Sequence, residues 1–175
     1  MLAIALGLGS SMCWGLADFL AGLQARRVPV VGVLLVSQAA GLVGIAAIVA
    51  LSGEAAPSVE DMVPAALAGA GGAMALSAFY RALAIGTMSI VAPISATGAA
   101  VPVIVGIATG DRPAALQLLG IAAATAGIVL ASRELPTDSE RAAASRLSIG
   151  LALFAALGFG AFFVGMKAGA DANVL

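Results

Sequence analysis

Six runs of apolar residues, each close to the length of a membrane-spanning helix, divide this sequence. A helix needs roughly 20 predominantly apolar residues to cross the hydrocarbon core of a bilayer. The runs cover residues 2–25, 28–51, 62–85, 88–109, 114–132 and 147–169, and polar segments at 52–61 and 133–146 interrupt them. We therefore predict an all-α integral membrane protein with six transmembrane helices and no strand.

The composition favours the same class. Hydrophobic residues make up 62% of the chain and charged residues 10%, whereas soluble domains average roughly 45–50% and about 25%. A net charge of −1 without a basic patch argues against nucleic-acid binding. The chain has no histidine and one cysteine, Cys13, so we expect no metal site and no disulfide. No catalytic motif is present, and we expect neither an enzyme nor a cofactor.

The fourth apolar run contains two internal prolines, Pro93 and Pro102. A proline inside a helix removes a backbone hydrogen bond and kinks the helix. Membrane helices tolerate such a kink when neighbouring helices or hydroxyl side chains satisfy the freed carbonyl groups, and Ser95 and Thr97 are close enough in sequence to help. We predict kinks at both prolines. An open alternative is that these kinks also expose carbonyl groups to a cavity.

An ordered set of short motifs runs from residue 14 to residue 132. It consists of Trp14-Gly15, Phe79-Tyr80-Arg81-Ala82-Leu83, Gly86, Pro93-Ile94, Pro102, Gly110-Asp111-Arg112 and the later residues Gln117, Leu118, Gly120, Ile121, Gly127 and Ile128. This set resembles the EamA-type transporters of the drug/metabolite transporter superfamily, which more often have Glu in place of Asp111. The resemblance implies a polytopic carrier of small metabolites, usually built as ten helices in two halves.

The sixth run repeats part of the first. Placing Leu147 on Leu2 also aligns several leucines and isoleucines, Gly15 with Gly160 and Trp14 with Phe159. Chance similarity between apolar helices is the alternative. As a repeat, the pattern predicts a five-helix unit at 1–132, a linker at 133–146 and the first helix of a second, truncated unit at 147–175. An odd number of helices per unit makes the repeat inverted, and alternating access requires both units. We therefore expect that the 175 residues alone do not transport.

Two signals for membrane orientation disagree. The loop arginines Arg26, Arg27, Arg133, Arg141 and Arg146 lie on the side that the chain reaches after an odd number of spans. Because basic loops favour the cytoplasm, these residues indicate an N-terminus outside. The family resemblance implies an N-terminus inside, and the orientation stays open.

Four polar side chains fall inside or at the edge of the apolar runs: Asp18, Gln38, Arg81 and Lys167. At 1.5 Å per residue, the first three lie within roughly 15 Å of the same membrane surface. An ionisable group at such a depth is costly unless it is paired. We therefore predict that Asp18 and Arg81 approach one another, directly or through a water. The alternatives are that Arg81 snorkels to the interface, that Gln38 only joins two helices and that Lys167 is an interfacial anchor.

The other residues of the predicted substrate pathway are Trp14, Tyr80, Ser95 and Thr97. Trp14 has an alternative role in helix packing or at the membrane interface. The third run also carries small residues at every fourth position, which favours close helix packing. The alternative is that some of them line a passage; these residues are Ala65, Gly69, Ala73 and Ser77.

We expect a secondary transporter, an exporter or permease of small polar metabolites, amino acids or drug-like solutes that works by alternating access. The expected partners are the small-molecule substrate, membrane lipid and a coupling proton or cation, and a homodimer is an open alternative. Other open functions are a lipid-linked carrier or flippase, and a non-transporting membrane subunit in which Asp18 and Arg81 form a structural pair. The expected location is the bacterial cytoplasmic membrane. The sequence leaves the substrate, the coupling ion and the direction open.

Overall fold

The computed structural model of the protein describes residues 2–53, 59–131 and 146–172, and every regular element in these ranges is a helix. The all-α prediction is therefore confirmed for this part of the chain. Half of the predicted linker at 52–61, nearly all of the predicted linker at 133–146 and the last three residues of the unit predicted at 147–175 lie outside the described residues. The helices are α1 Leu2–Ala25, α2 Val30–Ser52, α3 Val59–Ile85, α4 Met88–Ala96, α5 Ala100–Ala108, α6 Ala115–Ala131 and α7 Arg146–Ala172.

Five segments are long and apolar enough to cross a membrane, where we predicted six. They are Ile4–Ala25, Val30–Ser52, Ala65–Ile85, Met88–Ala108 and Arg146–Lys167. Helix α6 is apolar but has only 17 residues. At 1.5 Å per residue it covers about 26 Å, slightly less than the hydrocarbon core of roughly 30 Å. The chain is thus an integral membrane protein with five candidate spans and one shorter apolar helix among its described residues.

The fourth span is not a continuous α-helix. A 3₁₀ turn at Thr97–Ala99 separates α4 from α5. Pro93 lies inside α4, and Pro102 lies in the first turn of α5. Because Pro102 has no amide hydrogen, the carbonyl of Gly98, four residues earlier, cannot accept its usual helical hydrogen bond. The interruption therefore lies between the two prolines at which we predicted kinks.

Helix α7 packs in the centre of the described bundle, against α3 on one side and α4–α5 on the other. Gly72 contacts Phe162, and Gly86 contacts Ser148. A later residue of α3 therefore contacts an earlier residue of α7, and the two helices are antiparallel. Along α4–α5, Ser95 contacts Ala152 and Val101 contacts Gly160. Here a later residue of α4–α5 contacts a later residue of α7, so α4–α5 is parallel to α7.

Helix α1 runs in the same direction as α3 and opposite to α7. Gly22 contacts Leu83, and Arg26 contacts Gly86, so α1 and α3 are parallel. An inverted repeat requires α1 and α7 to run in opposite directions, and they do. Simple alternation of spans would give the same directions, so the division into two repeats stays a prediction.

Small residues form the interfaces around α7. Alanine side chains allow two helix backbones to approach closely, which is how helices associate inside a bilayer. By contrast, α2 and α6 contain no buried residue, and most of their leucine, isoleucine and valine side chains are exposed, as expected for surfaces that lie against lipid. The fully or largely buried alanines of α3 and α7 are Ala75, Ala78, Ala82, Ala152, Ala155 and Ala156.

Candidate functional site

A cavity of about 690 Å³ lies between α1, α2, α3, α4 and α7. This volume is in the range of pockets that hold small organic ligands, roughly 300–1,000 Å³. Its walls are mainly apolar and aromatic, and its polar groups are few. Of the residues that we predicted for a substrate pathway, four line this one cavity: Trp14, Asp18, Gln38 and Ser95.

The Asp18 carboxylate is held by a tyrosine from the neighbouring helix. The Tyr80 hydroxyl donates a hydrogen bond to Oδ1 of Asp18 at 3.1 Å. Tyr80 is only 4% exposed, whereas Asp18 is partly buried and reaches the cavity wall. In the described residues, no lysine or arginine side chain pairs with Asp18. Tyr80 therefore stands behind the carboxylate, on the side away from the cavity.

No direct ion pair between Asp18 and Arg81 is found among the described residues, and an approach through a water stays a prediction. Arg81 is exposed on the surface of α3 and forms no ion pair within the described ranges. Successive residues of an α-helix point about 100° apart, since 3.6 residues complete a turn. When Tyr80 faces α1, its neighbour Arg81 is turned by about 100° from that direction. The exposed position of Arg81 agrees with the alternative, a side chain that snorkels to the interface.

The hydroxyl groups of Ser95 and Thr97 are both turned to backbone carbonyls. Ser95 is buried and donates to the Ala152 carbonyl of α7 at 3.4 Å. Thr97 is exposed and donates to the Ile94 carbonyl of the preceding helix, α4, at 2.6 Å. Ser95 thus connects α4 to α7 at the cavity wall, and Thr97 does not line the cavity.

Aromatic rings form much of the cavity wall, and most of them were not among the predicted pathway residues. Phe79 of α3 and Phe159 of α7 meet edge to face, with ring centroids 5.8 Å apart. Half of the six phenylalanines of the chain fall between residues 159 and 163. That cluster was the signal that sequence reasoning missed. The phenylalanines that line the cavity are Phe19, Phe79, Phe159, Phe162 and Phe163.

The model of the EamA-like transporter family matches residues 1–133, which include every helix around the cavity except α7. The chain belongs to the EamA-like transporter family. The resemblance found in the short motifs is therefore correct. No curated protein and no solved structure matches the chain significantly.

Within this EamA-like chain, two small residues of the predicted packing ridge on α3 lie on the cavity wall. Gly69 and Ala73 both line the cavity, and a Cβ atom added to Gly69 would meet no atom within 4 Å. The closest helix contacts of α3 come from the neighbouring face instead, where Gly72 and Ala75 meet α7. The small residues of α3 therefore lie on two faces of the helix. One face packs against α7, and the other leaves open space for the cavity.

One end of the EamA-like bundle is held together by Arg26. Its guanidinium donates from Nε to the Leu83 carbonyl at 3.2 Å and from Nη2 to the Gly86 carbonyl at 3.1 Å. These are carbonyl groups at the C-terminus of α3, which lack helical partners and carry partial negative charge. On the same side, Gly22 of α1 packs against Leu83 and Met88. We call the end of the bundle at Arg26, Gly22 and Gly86 the Arg26 end.

The opposite end carries an ion pair. Lys167 of α7 donates to Oδ2 of Asp111, in the turn between α5 and α6, at 2.7 Å. Both side chains are more than half exposed. Lys167 was expected to be an interfacial anchor, and its contact with Asp111 joins the last helix to the α5–α6 turn. A second cavity of about 380 Å³ lies beside Asp111 and is lined by α5 and α6.

Proposed function

We propose that this EamA-like chain forms the solute-binding part of a secondary transporter that works by alternating access. The observation that carries the proposal is the cavity around Asp18. It is of ligand size, it lies between helices of the region that matches the transporter family, and it contains an ionisable side chain. Ionisable residues at membrane depth are rare and commonly mark substrate or ion pathways. Asp18 is also the group that would bind a coupling proton or cation.

A pair of residues from the two proposed repeats supports this mechanism. Trp14 of α1 and its counterpart Phe159 of α7 line the same cavity, and their helices run in opposite directions. In transporters built from inverted repeats, the substrate site lies where the repeats meet. The 3₁₀ turn before Pro102 supplies an interrupted helix next to α7, which is a further feature of such sites.

The packing of the two ends suggests which side of the cavity is closed. At the Arg26 end, α1, α3 and α4 are in close contact through Gly22, Leu83 and Met88. Farther from this end, Gly69 and Phe163 line the cavity and are exposed. We infer a state that is closed at the Arg26 end, and transport would then require this contact to open. The location that we propose is the cytoplasmic membrane of a bacterium.

A lipid-linked carrier or flippase is the second candidate. The observation that favours it is the apolar and aromatic lining of the cavity, which would accept an acyl or isoprenoid chain as readily as the body of a soluble solute. The third function considered from sequence is a membrane subunit with a structural Asp18–Arg81 pair, and no direct pair of these two side chains in the described residues supports it.

Uptake measurements with a variant that fills the cavity test the proposal. Ala92→Phe places a large side chain at the cavity wall, whereas Ala124→Phe adds the same side chain to the outward surface of α6. Cells that express the complete gene product are screened with radiolabelled amino acids, organic ions and isoprenoid phosphates. We expect at least one solute to be transported, with a tenfold or greater loss in Ala92→Phe and little change in Ala124→Phe. Transport that is equal in the two variants, or absent for every solute class, contradicts the proposal.

A further inference from the structure

We propose that the cavity selects monovalent organic cations with an aromatic or aliphatic body. The inference rests on the proposed function, because it names the substrate class of the same cavity. It goes beyond that function in excluding anions and zwitterions such as amino acids. Three features of the cavity carry it: the charge of its wall, its aromatic lining and the hydrogen bonding of Asp18.

The charge of the cavity wall has one sign. Among the residues that the structure describes, Asp18 is the only acidic one that lines the cavity, and no lysine or arginine lines it. A solute carboxylate or phosphate would therefore lose its hydration in an apolar space without gaining a cationic partner. It would also be repelled by the negative charge of Asp18. A solute cation gains from the same charge, and one carboxylate neutralises one positive charge. The wall thus favours a monovalent cation.

The aromatic lining provides the second recognition element. Trp14 and five phenylalanines line the cavity, and the negative faces of aromatic rings attract organic cations, with Trp the strongest partner. The same rings bury an apolar solute body and release water from it. A small, fully hydrated cation such as Na⁺ offers no surface for these contacts. The lining therefore favours a cation with an apolar body over an inorganic ion.

The hydrogen bond from Tyr80 prepares Asp18 for this role. The hydroxyl reaches Oδ1 from behind the cavity wall, and no other hydrogen bond to the carboxylate is found in the described part of the chain. Oδ2 therefore remains available to a solute. Tyr80 also fixes the rotation of the carboxyl group, and we assign it as a positioning residue.

Trp14 is the only tryptophan of the chain, so its fluorescence reports directly on the cavity. The chain is purified in detergent and titrated with phenyltrimethylammonium, with its uncharged isostere tert-butylbenzene, with tetramethylammonium and with phenylalanine. We expect a saturable fluorescence change with phenyltrimethylammonium at concentrations at least tenfold below those needed for the other three. This comparison uses the native sequence and does not depend on the folding of any variant.

Two matched variants test which carboxylate is responsible for cation binding. Asp18→Asn removes the carboxylate of the cavity, and Asp111→Asn removes the exposed carboxylate that pairs with Lys167. We expect Asp18→Asn to weaken phenyltrimethylammonium binding at least tenfold without changing tert-butylbenzene binding, and Asp111→Asn to have no effect. Equal binding of the cation and its isostere, or tighter binding of phenylalanine, overturns the cation class while leaving a solute-binding cavity in place. If none of the four compounds changes the fluorescence, the proposed selectivity for organic cations is overturned. The proposed transport function is then tested separately by the uptake screen.

Discussion

Gly98 of the 3₁₀ turn packs directly against the backbone of Ala156 on α7. A Cβ atom added to Gly98 would overlap the Ala156 carbonyl group, so only glycine fits at this crossing. The crossing is next to Ser95 and Ala99, which line the cavity. The fit between α4–α5 and α7 thus sets the position of one cavity wall.

Replacing Gly98 by alanine should destabilise the folded chain. The overlap involves backbone rather than a flexible side chain, so α7 has to shift, and overpacking of this kind costs about 1–3 kcal/mol. Gly127→Ala on α6 is the control, because a Cβ atom there meets nothing within 4 Å. Thermal unfolding in detergent, followed by circular dichroism, should show a lower midpoint for Gly98→Ala only. Equal midpoints for the two variants would mean that α7 does not pack against the turn as described.

Arg26 should contribute more to stability than its neighbour Arg27. Arg26 donates two hydrogen bonds to the C-terminal carbonyls of α3, and hydrogen bonds of charged groups contribute about 1.5–3 kcal/mol when they are shielded from water. Arg26 is partly exposed, so we expect about 1 kcal/mol for Arg26→Met and less for Arg27→Met. Unfolding in a graded denaturing detergent measures both. A larger effect for Arg27 would contradict the proposed closure of the Arg26 end.

Asp18 should be coupled to Tyr80 and not to Arg81. Tyr80 donates to Asp18, while Arg81 is exposed and forms no ion pair with Asp18. In a double-mutant cycle, residues in contact deviate from additivity by about 0.5–3 kcal/mol, and residues without shared partners add. We expect non-additive stability for Asp18→Asn with Tyr80→Phe, and additive stability for Asp18→Asn with Arg81→Gln. The reverse result would restore the Asp18–Arg81 pair predicted from sequence.

The helix positions could be predicted from sequence because a bilayer requires long apolar runs. The first run, at 2–25, coincides with α1 Leu2–Ala25, and the third and fourth runs end within one residue of α3 and α5. The direction in which each side chain points around its helix axis could not be predicted in the same way. In a soluble helix the apolar face marks the core, but α3 is apolar both towards α7 and towards lipid. Depth in the membrane led us to pair Asp18 with Arg81, whereas the rotation of α3 brings the neighbouring residue, Tyr80, to Asp18.

Only some of the residues that line the cavity could be predicted from sequence. Asp18, Gln38, Trp14 and Ser95 were found because polar and aromatic residues stand out in an apolar run, and all four line the cavity. Gly69 and Ala73 line it as well, but small residues are found equally in helix contacts and in open space. Phe162 and Phe163 were missed because phenylalanine is common on lipid-facing surfaces, and sequence alone does not separate the two environments.

The central claim, that solute passes through the cavity around Asp18, is tested most directly by blocking the cavity from the water phase. The gene product is made cysteine-free, including Cys13→Ser, and receives either Gln38→Cys in the cavity wall or Ser37→Cys on the exposed face of α2 outside it. A water-soluble methanethiosulfonate reagent is then applied, and uptake of the solute identified in the screen is measured. We predict that the thiol at position 38 reacts and uptake is lost, while the protein with the thiol at position 37 keeps its uptake. Complete modification at position 38 with unchanged uptake would contradict the account.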